Sequence, residues 1–325
     1  MLLKRIHNNK IGTYALMLFL IILCWIKPIT LGYAINAESF DNAMPLWKLF
    51  SFLSKSKWLG FLFSMMSAVI ITLSINRLNS KHGLLSKQSA LPGIVFVLLV
   101  GGFTMAQRFN PIWLTTLFFI LAFEYLFEAH NHRRVMKECF LAGFWISAAS
   151  LLSYKIVLVF PLLIVMMGNL RLLNFKSFLA AIIGLILPWL FLLGYELVWG
   201  SIPEYFKYLG FSWSKIFDSH YHTTFLLIYL MAMAFIFLVA LFSVIGAYGT
   251  KKIYTRKQYQ VFVFCGLFFS GVMGASGLNL EFLIMVALPF SIIIAHLIDN
   301  IRSLLWQNIV VVTMLAIPVF GQIFL

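Results

Sequence analysis

Long apolar runs separated by short polar stretches fill the chain from one end to the other. A helix needs about 20 mostly apolar residues to cross roughly 30 Å of hydrocarbon. The pattern predicts eleven such spans, or ten if one of the weaker runs does not cross. They are 11–31, 58–76, 91–106, 112–128, 139–153, 156–170, 178–198, 223–248, 259–275, 280–298 and 305–325. We therefore expect an all-α, polytopic transmembrane bundle in which residues 1–325 form a single integral membrane domain.

Two pairs of short runs leave an alternative open. The runs 91–106 and 112–128 are followed by 139–153 and 156–170, and several of these are shorter than a full crossing needs. Either pair is also typical of a tilted hairpin or a re-entrant element.

Composition agrees with a membrane protein and excludes a soluble one. Hydrophobic residues make up 62% of the chain, charged residues 10%, and the mean hydropathy is +0.97, whereas soluble domains carry about 25% charged residues. Cys24, Cys139 and Cys265 all fall within predicted spans. They are therefore interpreted as small apolar residues, not as disulfide partners.

The basic residues predict the orientation. With the N-terminus in the cytoplasm, sixteen of the 24 lysines and arginines flank inner segments, as the positive-inside rule requires. Clusters such as 133-RRVMK-137 and 251-KKIYTRK-257 would then meet anionic head groups, which accounts for the net charge of +14 without nucleic acid. The expected partners are membrane lipids.

The first external loop, 32–57, contains two acids close together in a chain that has only ten. Phe40, Met44 and Trp47 recur at helical spacing, which predicts a helix lying in the membrane interface, with a kink or a late start at Pro45. Glu38 and Asp41 would share one face of that helix. One interpretation is that they are solvated acids that interact favourably with the positive end of the helix, which is common. The other is that one of them is a general base beside the bilayer.

Three other external residues are candidates for binding the phosphate of a lipid carrier: Arg108, Lys155 and His222. The side chains of Arg108 and Lys155 could instead extend to the lipid head groups. His222 belongs to 218-DSHYH-222 in the second external loop, 199–222, where no third ligand completes a metal site. We predict no metal and no cofactor.

Within the spans, Glu124 is the deepest acid of its helix. It is either a proton relay of a transporter or an ion-pair partner of Arg133 or Arg134.

The segments 109-FNPIWLTTLFFILAFEYLFE-128 and 138-ECFLAGFWISAASLLSYKIVLVFPLL-163 resemble an uncharacterised family of bacterial polytopic inner-membrane proteins. The shared features are the Asn-Pro start of a span, its acidic end and the AGFW run after a basic loop. The likeness covers about the central third of the chain and implies a multi-pass protein of the bacterial inner membrane.

A more distant likeness concerns mechanism. An acidic first loop, an Asn-Pro-led span, a basic inner loop and 142-AGFWISAASLLSYK-155 are similar to the membrane core of GT-C glycosyltransferases. Those enzymes take sugar from a polyprenyl phosphate on the outer side of the membrane. The resemblance implies that Asp41, or Glu38 as second choice, is the catalytic carboxylate. It also implies that polyprenyl phosphate is part of the substrate.

Two other classes of function stay open. A chain of packed spans with short loops could be a non-catalytic subunit or scaffold of an envelope complex, for secretion or polymer export. A transporter would need broken helices around a polar site in the middle of the membrane.

Overall fold

A computed structural model describes residues 10–31, 44–85, 89–129, 135–200, 224–276, 278–301 and 303–324. All regular elements in these ranges are helical, which confirms the all-α class. The α-helices are α1 Lys10–Leu31, α2 Pro45–Lys48, α3 Lys57–His82, α4 Leu91–Val100, α5 Thr104–Gln107, α6 Pro111–Ala129, α7 Val135–Ser150, α8 Phe160–Asn169, α9 Phe175–Trp199, α10 Thr224–Gly246, α11 Ile253–Ala275, α12 Leu283–Asn300 and α13 Leu304–Phe324. Short 3₁₀ turns lie at Ser51–Lys55, Tyr154–Val159, Tyr248–Thr250 and Leu280–Phe282.

Seven helices in the described ranges are long and apolar enough to cross a membrane, so the chain is a multi-pass membrane protein. They are Trp58–His82, Pro111–Ala129, Phe175–Trp199, Leu227–Gly246, Ile253–Ala275, Leu280–Asn300 and Leu305–Gln322. Three further apolar helices, Gly12–Pro28, Leu91–Val100 and Tyr154–Asn169, are shorter. The predicted count of eleven spans is therefore not confirmed.

The short pairs differ from simple crossings. Helix α4 has ten residues, about 15 Å, and ends at a break over residues 101–103 before the single turn of α5. Every residue of α4 is buried. In the second pair, α7 has 16 residues, and α8 is a ten-residue helix that follows a 3₁₀ turn. These irregular elements are covered by neighbouring helices, as non-helical backbone at membrane depth must be.

Helix α12 is the centre of the bundle. Its residues from Leu283 to Ile298 are all buried, against α4, α10 and α11. A helix that is apolar on every side is stable only when other helices surround it. The sequence of α12 therefore requires the ring of spans around it.

Contacts between helix termini define two ends of the bundle. At the basic end, the C-termini of α3, α6 and α12 meet the start of α11. For example, Lys251 Nζ donates to Leu84 O at 3.2 Å, and Tyr254 donates to Phe127 O. The loop end contains residues 44–56, 101–110, 151–159 and 278–282. The basic end holds residues predicted to be cytoplasmic, and its side of the membrane stays a prediction.

Ion pairs at the basic end give Glu124 its partners. Arg77 Nη2 and Lys81 Nζ on α3 lie 3.3 and 2.6 Å from Glu124 Oε1, and Lys81 also pairs with Glu128. Glu124 is thus ion-paired with the preceding long helix, while Arg133 and Arg134 lie outside the described residues. Lys81 joins two successive turns of α6 to α3.

The tightest helix crossing is between α7 and α9, and it depends on glycine. A Cβ atom on Gly184 would overlap the carbonyl oxygen of Phe140 and lie 3.0 Å from the backbone nitrogen of Phe144. Ser147 donates to the Leu185 carbonyl beside this point, and Trp189 Nε1 donates to Ser150 Oγ at 3.0 Å. Close backbone contact and interhelical hydrogen bonds hold helices together in lipid, where the hydrophobic effect between them is absent.

We predict that Gly184→Ala destabilises the protein by about 1–3 kcal/mol, the usual cost of overpacking, because α7 and α9 must separate. Gly194→Ala, on the same helix, has no atom within 4 Å of the added Cβ and should be neutral or slightly stabilising. Unfolding in detergent by SDS titration measures both. Equal effects of the two substitutions would show that the crossing is not tight at Gly184.

Candidate functional site

The structure describes two of the five residues predicted to form a site. Arg108 and Lys155 both lie at the loop end. Arg108 directly follows α5, which packs against the turn Leu280–Phe282, and Lys155 Nζ lies 5.5 Å from the centroid of the Phe282 ring. Glu38, Asp41 and His222 lie outside the described residues.

The position of Arg108 follows from the break after α4. Pro28 lies inside α1 and has no N–H, so the carbonyl of Cys24 lacks its helical donor. The carbonyl of Gly101 is likewise freed where α4 ends. Both oxygens must be satisfied within the protein, since hydrocarbon supplies no donor.

Two glutamine side chains satisfy these carbonyls. Gln107 Nε2 donates to Cys24 O at 3.2 Å and to Gly101 O at 2.9 Å. Gln322 Nε2 donates to the same two oxygens, at 2.7 and 3.0 Å. This carbonyl hub (Cys24, Gly101, Gln107 and Gln322) joins α1, the break, α5 and α13.

Further hydrogen bonds hold the broken segment from its sides. Trp25 Nε1 donates to Ser64 Oγ at 3.2 Å, and the Ser64 hydroxyl donates to the carbonyl of Gln107. On the opposite side, Tyr229 of α10 donates to Leu99 O at 3.3 Å. The backbone that leads to Arg108 is therefore held by side chains of four helices, α1, α3, α10 and α13.

Arg108 follows α5 and is half-buried, with extended backbone. Its carbonyl accepts from Asn110 Nδ2 at 3.2 Å and from Trp113 Nε1 at 3.1 Å. Asn110 Oδ1 in turn accepts from the Ile112 N–H at 3.0 Å, with Pro111 first in α6, which is a usual way to start a helix. The Asn-Pro pair thus fixes the backbone of Arg108 at the start of α6.

Lys155 reaches the same region from the other irregular segment. It lies in the 3₁₀ turn Tyr154–Val159 and is half-buried, with Nζ 5.5 Å from the centroid of the Phe282 ring. This distance is within the range of a cation–π contact. The turn that carries Phe282 also packs against α5, next to Arg108.

The described part of the first external loop covers this region. Trp47 is buried, with its ring 5.3 Å from that of Phe109, and the N–H of Leu46 donates to Leu151 O at 3.2 Å. The described part of this loop forms a single helical turn, Pro45–Lys48, and residues 32–43 lie outside the described residues. A helix lying in the interface is therefore not confirmed, because Trp47 packs into the protein.

Two of the charged side chains at the loop end, Arg108 and Lys155, are half-buried cations in segments that contain aromatic rings. Arg108 and Lys155 could neutralise an anionic group at the membrane surface, with Phe282 and Phe109 as apolar walls. Glu281, which is exposed, and the buried Glu196 are acids at this end. No cluster of three metal-ligating side chains occurs within the described ranges.

Sequence reasoning missed the carbonyl hub. The signals were present: Pro28 within an apolar run, the Gly101–Gly102 pair, and the polar residues Gln107 and Gln322 in predicted spans or at their ends. A polar side chain at membrane depth requires a partner. What the sequence does not indicate is that residues 215 positions apart share the same two carbonyls.

No protein-family model, curated protein or solved structure matches this chain. The resemblances drawn from its segments therefore stay expectations.

We predict that Gln107→Leu and Gln322→Leu each destabilise the protein by about 1 kcal/mol, and that the double variant loses more than the sum. Either glutamine alone still supplies a donor to each carbonyl, whereas the double variant leaves both oxygens unsatisfied in an apolar setting. Unfolding in detergent measures the four members of the cycle.

A control cycle combines Gln107→Leu with Gln307→Leu in place of Gln322→Leu. Gln307 donates to Ile298 O at the basic end. Gln107→Leu and Gln307→Leu should be additive. Additivity in both cycles would contradict a shared hub.

Proposed function

We propose that this chain is a GT-C-like protein that handles a polyprenyl-phosphate-linked sugar at the outer face of a bacterial inner membrane. The observation that carries the proposal is the placement of Arg108 and Lys155 around the turn Leu280–Phe282. Two half-buried cations at the end of a membrane bundle are suited to the phosphate of a lipid whose chain lies along the spans.

In this proposal, Arg108 and Lys155 bind the carrier phosphate, with His222 as a third phosphate contact. Arginine offers a planar pair of donors and lysine a point charge, and together they stabilise the phosphate as it becomes the leaving group. Asp41, or Glu38 as second choice, takes the proton of the acceptor hydroxyl. Asp41 precedes Met44 by three residues in the sequence, and Met44 is buried at the loop end.

A scaffold is the second candidate, and the outer helices favour it. Large apolar side chains on α9 and α13, such as Phe191, Trp199 and Trp306, are exposed. Such faces contact lipid, and they could equally contact a helix of another membrane protein. A transporter is not favoured, because Glu124 is held by Arg77 and Lys81 at the basic end.

We expect Arg108→Ala and Lys155→Ala each to lower the retention of polyprenyl phosphate about tenfold, the effect of losing one charge-assisted hydrogen bond. The backbone carbonyl of residue 108 accepts hydrogen bonds from Asn110 and Trp113, and the substitution leaves these two bonds in place. Native mass spectrometry of the gently purified protein measures the bound lipid. Lys48→Ala, an exposed lysine at the same end, is the matched control.

Retention that is equal in all variants would contradict the proposed phosphate site. A stoichiometric protein partner with only ordinary phospholipid would instead support the scaffold.

We expect Asp41→Asn to keep the bound lipid but to slow release of sugar from a polyprenyl-phosphate sugar by about 10²–10⁴-fold, the usual contribution of a general base. Conversion of the bound donor to free polyprenyl phosphate, followed by mass spectrometry, gives the rate. Glu38→Gln tests the second choice. If Asp41→Asn turns over normally while Glu38→Gln does not, the catalytic role passes to Glu38, and if neither substitution has an effect, the first loop supplies no base.

A further inference from the structure

A second polar region lies at the opposite, basic end of the bundle. It is an open cavity of about 500 Å³ between the C-termini of α3 and α12 and the start of α11. Its lining includes Lys81, His82, Lys251, Lys252, Thr255 and Asn300, and no acidic side chain of the described residues lines it. The volume is in the range of ligand pockets and is larger than a single phosphate needs.

Lys251 is held in place for contact with an anion. Its Nζ donates to Leu84 O at 3.2 Å and lies 4.7 Å from the centroid of the Tyr259 ring, while the Tyr259 hydroxyl donates to the same carbonyl at 2.7 Å. Burial lowers the pKa of Lys251, and the charge of Asp299 partly opposes this. An ammonium that has lost water in this way gains from a second anion.

The other side of the cavity is lined by Lys252 and Thr255. Lys252 is exposed, and its side chain makes no hydrogen bond or ion pair to any described residue. It is also the N-cap of α11, a helix with no side-chain cap and no acid in its first turn. The positive end of a 23-residue helix therefore faces the cavity, with the Thr255 hydroxyl in that first turn.

His82 adds an unsatisfied group to the same wall. Its Nε2 is buried and has no hydrogen-bond partner in the part of the chain that the structure describes. The nearby acids Glu124 and Glu128 are already paired with Lys81. These two acids therefore do not neutralise Lys252, whereas the charge of Lys251 is partly offset by Asp299.

From this arrangement we propose that the cavity binds a phosphate group, either the head group of an anionic phospholipid or a soluble phosphate ester. Its place at the ends of membrane spans gives a lipid direct access, and basic pockets between spans are suited to phospholipid head groups. The site is at the other end of the bundle from Arg108 and Lys155. A test of this site is therefore independent of a test of the glycosyltransferase proposal.

The test uses the full chain, freed of lipid in neutral detergent, with binding followed by titration and native mass spectrometry. The probes are short-chain phosphatidylglycerol, phosphatidylcholine of the same chain length and glycerol 3-phosphate. We expect one saturable phosphatidylglycerol per chain and about tenfold weaker binding to Lys252→Gln. Lys176→Gln, an exposed lysine at the start of α9 that does not line the cavity, should bind as the unchanged protein does.

The probes separate the two sources of phosphate. Binding of glycerol 3-phosphate alone, with the same dependence on Lys252, supports a soluble ester, whereas binding of phosphatidylglycerol only supports a lipid. Equal binding of phosphatidylcholine, or equal losses in Lys252→Gln and Lys176→Gln, would overturn the proposal. Failure of both phosphate probes to bind would overturn it as well.

Discussion

Backbone carbonyls that lose their helical donors inside the membrane are the constraint on which the loop end depends. Pro28 frees the oxygen of Cys24, and the end of α4 frees that of Gly101. Water cannot reach such groups in hydrocarbon, so side chains must supply the donors. Gln107 and Gln322 do so, and their bonds fix α5 and hence the backbone position of Arg108.

The same requirement accounts for the different character of the two ends. At the loop end, broken backbone is held by neutral donors such as Gln107 and Tyr229, and charge is confined to a few residues. At the basic end, helices stop regularly and their termini are joined by charged side chains, as between Lys81 and Glu124. Two unlike surfaces result, one with half-buried cations among aromatic rings and one with charged side chains at the helix termini.

The all-α class and most long helices could be predicted because apolar runs of span length are a property of the sequence alone. Proline chemistry predicted either a kink or a late helix start at Pro45, and a helical turn begins at that residue. The break at 101–103 was harder, because hydropathy averages over the Gly101–Gly102 pair that permits it. Glu124 pairs with Lys81 and Arg77, which precede it by 43 and 47 positions in the chain. Arg133 and Arg134 are nearer in sequence, so they were the partners expected.

The carbonyl hub also has a consequence for biogenesis. Gln322 and Cys24 are 298 positions apart, so their hydrogen bond cannot form until α13 has entered the membrane beside α1. Before that, Gln107 is the one glutamine of the hub available to the two freed oxygens. Insertion of the early helices therefore leaves the loop end incompletely joined, and α13 completes it. An interruption of translation before α13 would yield a chain whose first span is in place but whose loop end is open to quality-control proteases.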